Sequence, residues 1–242
     1  MLLKAAINGG RSVTDNPAVP ITPEQLANDA KAVIALGIGA IHLHPRNTNG
    51  SESLLWSDIE QAIAAVNEAC PGIPVGISTG DWIEPNVDKR LNLISTWQNT
   101  VSFASVNFHE PGAERVARLL MKRGIGVEAG LFTRQAAENL VKSGLAEDCL
   151  RIMFEPIDSE PADSLNTVHH IEKILDRGKV ANPSRLLHGF NSTCWHMLAE
   201  AKRRGYDSRI GFEDTLFLPD GVPAESNSQL CLLYTSPSPR DS

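Results

Sequence analysis

Short apolar runs of β-strand character alternate with amphipathic helical stretches along the whole chain, and that alternation points to parallel strands joined by helical crossovers. Strands are expected over residues 2–7, 38–44, 75–78, 103–107, 126–131, 150–155, 185–190 and 209–212. After the first, Thr22-Pro23-Glu24-Gln25 supplies an N-cap, a proline at the first helical position and a glutamine spaced to complete a capping box; Gly37 ends that helix. Ser57 is expected to cap the next helix, where Ile59, Ile63 and Val66 recur at helical spacing before Pro71-Gly72. Eight strands favour a closed (β/α)8 TIM barrel, an α/β fold, over an open doubly wound sheet. The open alternative also lacks its motifs, since no Gly-x-Gly-x-x-Gly follows the first strand and no Gly-rich loop ends in Lys-Ser or Lys-Thr.

Residues 231–242 read as the translation of a transposase-type sequencing adapter and are expected to stay outside the fold. Residues 1–230 then make one TIM-barrel catalytic domain. Its last helix, starting near Ala224 or Ser226, is expected to be truncated and to leave the eighth strand without its staple to the first. A formal net charge of -7 and the absence of a basic run argue against a nucleic-acid surface. Cys70, Cys149 and Cys194 are too widely spaced for a disulfide framework or a thiolate metal site, which fits a reducing cytoplasm. No apolar stretch is long enough to span a bilayer, and the chain opens on a strand without the pattern of a leader peptide.

Polar residues collect where a barrel places its chemistry. His42-Leu43-His44 ends the second strand, and because alternate strand residues share a face, both imidazoles leave the sheet together. Carboxylates directly follow the last apolar run, in Arg209-Ile210-Gly211-Phe212-Glu213-Asp214. Two histidines and one carboxylate with an open position are a catalytic zinc set. Ser78, Asn107, Glu128, Glu155 and His188 also fall at or near strand ends, on the C-terminal rim.

Six ordered motifs together carry a more specific likeness: Ala6-Ile7-Asn8-Gly9-Gly10-Arg11, His42-Leu43-His44-Pro45-Arg46, Ile77-Ser78-Thr79-Gly80, Ser105-Val106-Asn107-Phe108, Val127-Glu128-Ala129-Gly130 and the run from Arg209 to Asp214. In these the chain resembles the beta-keto acid cleavage enzymes. The resemblance implies a zinc-dependent (β/α)8 barrel, a homo-oligomer, that condenses a β-keto acid with acetyl-CoA to give acetoacetate and a new acyl-CoA. It further implies that His42, His44 and Glu213 hold Zn2+, that Asp214 is the general base toward the methyl of acetyl-CoA, and that Arg209 assists it. Ser78 and Thr79 match the hydroxyl position for the substrate carboxylate; Ser105, Asn107 and Glu128 match positions lining the pocket. No role follows from it for His188, His109, His169 or His170.

One position departs from the pattern. Where the lysine-fermentation members carry a glutamate for the substrate amino group, this chain has Arg11, which implies an anionic or neutral β-keto acid. The other reading of Arg11 is an anchor for coenzyme A phosphates. The competing function is a zinc-dependent hydrolase of the amidohydrolase type, whose His-x-His would belong on the first strand rather than the second.

Overall fold

A computed structural model describes residues 1–181 and 183–235. Eight parallel strands, β1 (Leu3–Ala6), β2 (Ala40–Leu43), β3 (Val75–Ser78), β4 (Phe103–Asn107), β5 (Gly126–Leu131), β6 (Arg151–Phe154), β7 (Ser184–Leu187) and β8 (Ser208–Ile210), pair in the order β7-β6-β5-β4-β3-β2-β1-β8. At the seam the pairing is short: Leu186 bridges Asp207, and the Ser208 hydroxyl donates to the Leu187 carbonyl at 2.7 Å. The helices α1 (Pro23–Ile34), α2 (Trp56–Ala69), α3 (Val87–Ile94), α4 (Ala113–Lys122), α5 (Arg134–Ser143), α6 (Pro161–Arg177), α7 (Cys194–Arg204) and α8 (Asn227–Thr235) follow their strands. This is the TIM barrel that the alternation implies.

Local chemistry explains the helix starts. The Gln25 N–H donates to Thr22 Oγ1 at 3.2 Å and the Thr22 N–H donates to Gln25 Oε1 at 3.0 Å, completing the capping box. Ser57 does not cap α2, which begins one residue earlier at Trp56 and has no side-chain cap. The Ser53 hydroxyl instead accepts from the Leu55 N–H and donates to Asp58, so an upstream serine organises that turn.

Outward strand residues such as Ala5, Ile41, Ile77, Val127 and Ile152 are buried in the main apolar cluster. The inward set is polar and includes Lys4, His42, Ser78, Ser105, Glu128, Arg151 and Arg209. Glu128 is therefore not the pocket residue expected above. It is fully buried and ion-paired to Lys4 and Arg151 inside the barrel. Although Ser105 is its register neighbour, tilted barrel strands carry such neighbours to different heights along the axis. Burial pushes the Glu128 carboxyl upward, but the Lys4 and Arg151 cations outweigh it and hold the pKa below the ordinary 4.5. Glu128→Gln should destabilise the fold by about 3–5 kcal/mol, because two buried cations lose their counter-charge. The depressed pKa makes this stabilisation present above the unfolded value and lost as the pH falls through the folded one. The gap in denaturation midpoint between wild type and variant should accordingly narrow in acid.

The C-terminus also differs from expectation. The Asn227 amide accepts from the Phe212 N–H at 2.7 Å and donates to the Ile7 carbonyl at 2.7 Å, stapling the ends of β8 and β1. Helix α8 continues past Leu230 to Thr235 with Cys231 buried, so residues 231–235 are not outside the fold. Leucines 232 and 233 are good helix formers and extend a helix already anchored at Asn227. Residues 236–242 lie outside the described residues.

Candidate metal centre and active site

His42, within β2, and His44, just beyond it, direct their Nε2 atoms to the same point at 3.1 Å separation. Each lies 3.6 Å from Glu213 Oε2. Tetrahedral zinc with bonds near 2.0–2.1 Å separates its ligand atoms by about 3.3 Å, so this triangle has the dimensions of a metal site. Glu213 Oε2 is buried and has no protein hydrogen-bond partner, as a ligand atom should be. Its other oxygen accepts from Arg209 Nη2 at 2.8 Å. Burial opposes charge on Glu213, yet Arg209 and the two histidines bring its pKa down to about 2. Burial also holds His42 well below its ordinary pKa, hence neutral. A neutral His42 beside an ionised Glu213 is the protonation state that metal binding requires of those two groups.

The ligands are held from behind. His44 Nδ1 pairs with Glu52, which also accepts from Trp82 Nε1, while the Trp82 ring stacks on His44 with centroids 6.2 Å apart. Asn8 clamps the His44 backbone, accepting from its N–H at 2.8 Å and donating to its carbonyl at 2.9 Å. Gly9 has φ +51°, and a Cβ there would lie 2.3 Å from Glu213 Cγ, so only glycine leaves room for that carboxylate. Glu52 and Trp82 were not foreseen in the sequence. The usable signal was the rule that a ligating histidine gives its second nitrogen to an acceptor. Glu52→Ala should weaken metal affinity by about 10–100-fold, read by competition with a chromophoric chelator.

A cavity of about 240 Å³ opens beside this triangle, lined by His42, His44, Glu213, Ser78, Ser105, Asn107 and Arg209. Trp82, Glu155, Phe132, Phe190 and Gly10 complete the wall. Thr79 is not on it; its hydroxyl donates to the Ser105 carbonyl at 2.7 Å, holding the ends of β3 and β4 together. Arg11 is also off the wall, donating to Asn191 Oδ1 at 2.7 Å. Asp214 is fully buried behind Arg209, whose Nε and Nη2 donate to Asp214 Oδ1 at 3.1 and 2.8 Å.

His188 joins this array although its sequence context gave it no role. Its Nε2 is 3.0 Å from Glu155 Oε2 and its Nδ1 is 3.4 Å from Asp214 Oδ1. Burial and Arg209 oppose a charge on His188, but the two carboxylates outweigh them and raise its pKa. The Arg209 and His188 contacts to the Asp214 carboxylate thus fall on Oδ1, and Oδ2 is left without a hydrogen-bond partner.

The sequence model of the beta-keto acid cleavage enzymes matches residues 1–233. The chain belongs to that family. Among curated relatives of this family member, the 3-keto-5-aminohexanoate cleavage enzyme of Acetoanaerobium sticklandii is 24% identical over 249 residues, covering 95% of this chain and 88% of the relative. The Fusobacterium nucleatum protein of that name is 25% identical over 244 residues with the same coverage. A 3-oxoadipate:acetyl-CoA acetyltransferase from Cupriavidus necator matches over 66 residues at 33% identity, 27% of this chain and 23% of that one. Among solved structures, ObcA with oxaloacetate superposes with a TM-score of 0.70 at 14% identity, over 90% of this chain and 63% of ObcA, a likeness of fold alone.

Proposed function

We propose that this chain is a zinc-dependent enzyme that condenses a β-keto acid with acetyl-CoA, releasing acetoacetate and a new acyl-CoA. The observation that carries the reading is the convergence of His42, His44 and Glu213 on one point at the wall of a cavity backed by Arg209 and Asp214. Zn2+ held by the three would polarise the β-ketone oxygen as a Lewis acid. Asp214 acts as base toward the acetyl methyl through its free Oδ2, while Arg209 and His188 fix Oδ1. Burial would raise the Asp214 carboxyl, but Arg209 and His188 hold it below its ordinary value, so it is ionised at neutral pH. So weak a base needs the enolate stabilised as it forms, and Arg209 supplies a buried permanent charge beside it. Ser78 and Ser105 offer hydroxyls for the substrate carboxylate.

A panel of β-keto acids incubated with acetyl-CoA tests this directly. Acetoacetate and a matching acyl-CoA formed together support it, whereas metal-dependent hydrolysis without acetyl-CoA would establish the amidohydrolase-type alternative. A homo-oligomer in the cytoplasm is part of the same proposal, and sedimentation measures the assembly. No helix among the described residues is long and apolar enough to cross a membrane.

A further inference from the structure

Behind the cavity wall, one carboxylate faces three donors. Glu110, in the loop that follows β4, is buried. Its Oε2 accepts from Arg90 Nη1 and from the Asp81 N–H, each at 3.1 Å, and its Oε1 accepts from Asn107 Nδ2 at 2.6 Å. An amide has a donor end and an acceptor end, so this contact decides which of them Asn107 shows to the cavity it lines. The acceptor is shown: Asn107 Oδ1 lies 2.5 Å from where a Cβ on Gly130, in β5, would sit. Glu155 Oε1 comes within 2.6 Å of the same point and is buried without a hydrogen-bond partner. Two acceptors thus meet at the space that Gly130 leaves.

A proton on Glu110 reverses this arrangement. With all three partners donating, the O–H of a carboxylic acid finds no acceptor among them unless the Asn107 amide turns over. Once turned, the amide accepts from Glu110 through Oδ1 and presents Nδ2 to Glu155 Oε1. The unpaired carboxylate oxygen is then satisfied, and a hydrogen bond closes the space beside Gly130. The surroundings of Glu110 bring this exchange near neutrality: burial lifts its carboxyl to about 7, with the Asp81 charge adding to it, against the pull of Asn107, Arg90 and the Asp81 N–H. Glu110 also borders a groove of about 450 Å³ between α4 and α5, by which a proton can reach it from solvent. The charged groups of that groove are exposed, Glu114 turned to Arg118, Arg115 to Asp88, and Lys142 on the rim. In the loop itself, His109 is exposed and packs on Phe132.

Resting on the proposed reaction, we infer that Glu110 is a positioning residue that keeps the cavity open to the β-keto acid. As a carboxylate it holds Asn107 Oδ1 toward Gly130; when protonated it lets the Asn107 amide turn over and bond Glu155 across the wall. Glu110 acts through Asn107 and makes no contact of its own with the substrate. The open form is the one that binds, so affinity for the keto acid falls as the pH drops through the range in which Glu110 takes up its proton.

The test follows kcat and both KM values across neutral pH, beside the side-chain amide signal of Asn107 in enzyme carrying nitrogen-labelled asparagine, assigned by its loss in Asn107→Ala. In the wild type, KM for the keto acid should rise roughly tenfold between about pH 8 and pH 6, with kcat and the KM for acetyl-CoA steady. The Asn107 signal should shift over the same range. In Glu110→Gln the amide oxygen goes to the two donors, Arg90 and the Asp81 N–H, and the NH2 faces Asn107, which fixes the turned amide at every pH. KM should then be high and flat, and the signal should no longer titrate. On an Asn107→Ala background the same substitution should change KM less than about twofold, which a merely structural role would not produce. Asp81→Asn keeps the backbone N–H and removes a like charge, so the rise in KM should move to lower pH with its alkaline plateau unchanged. That variant decides the matter if Glu110→Gln, which strips buried Arg90 of its counter-charge, fails to fold. An acid limb that persists in Glu110→Gln, stays in place in Asp81→Asn or falls on kcat alone overturns the inference. If no keto acid yields acetoacetate the proposed reaction fails, while the Asn107 signal still reads the switch: a signal that does not titrate with Glu110 sinks it.

Discussion

Replacing His42 or His44 by Ala should leave the purified protein with less than about a tenth of the metal bound by the wild type and lower turnover at least 1,000-fold. Either change leaves two protein ligands where the geometry supplies three, at 3.1 and 3.6 Å from one another. The affinity of such a site rests on all its donors being preset, and here Glu52, Asn8 and Gly9 preset two of them. Metal content by plasma emission spectrometry, read beside the thermal midpoint, separates loss of the site from loss of the fold. Each histidine is buried but lines the cavity and lies outside the main apolar cluster, so the variants should still fold. Full zinc content in either variant would remove that residue from the centre.

What the sequence could say about this molecule depended on how local the deciding physics was. The Thr22-to-Gln25 capping box is settled within four residues, and the structure keeps it. The His42/His44 pair follows from strand alternation alone, and its carboxylate partner from the order of elements around a closed barrel. Glu128 shows where that logic stops. Its inward direction is a parity property, but its depth below the cavity is set by strand tilt and by Lys4 and Arg151, which are contributed by β1 and β6. Glu155 and His188 stand at strand ends in the sequence, yet the chain of contacts from Glu155 through His188 to Asp214 exists only once β6, β7 and β8 are neighbours around the barrel. Arg11, which the sequence left between the acyl pocket and an anchor for coenzyme A phosphates, could not be placed for a related reason: it directly follows cavity-lining Gly10, and only the loop conformation shows that its side chain turns to Asn191. The helix through Cys231 was not foreseen, because residues 231–235 were expected to lie outside the fold, whereas a run whose residues suit a helix extends one already begun at Asn227.

Asp214→Asn should keep the metal and lower kcat by about 100- to 10,000-fold, the range that removal of a positioned proton acceptor spans. The amide preserves volume, and its oxygen can still accept from Arg209 Nε and Nη2, so the anchor of Glu213 through Arg209 survives. What disappears is the basic second oxygen, the one that no side chain occupies. Because Arg209 and His188 hold the Asp214 pKa below the ordinary carboxylate value, the wild-type enzyme should lose no activity to protonation of this group between about pH 6 and 8, and the variant should be slow across that whole range. Loss of metal in Asp214→Asn would instead show that Asp214 acts through Arg209 on the ligand Glu213. Unchanged turnover would move the base to Glu155, a cavity-facing carboxylate with a free oxygen, and the two single variants assayed side by side distinguish these assignments.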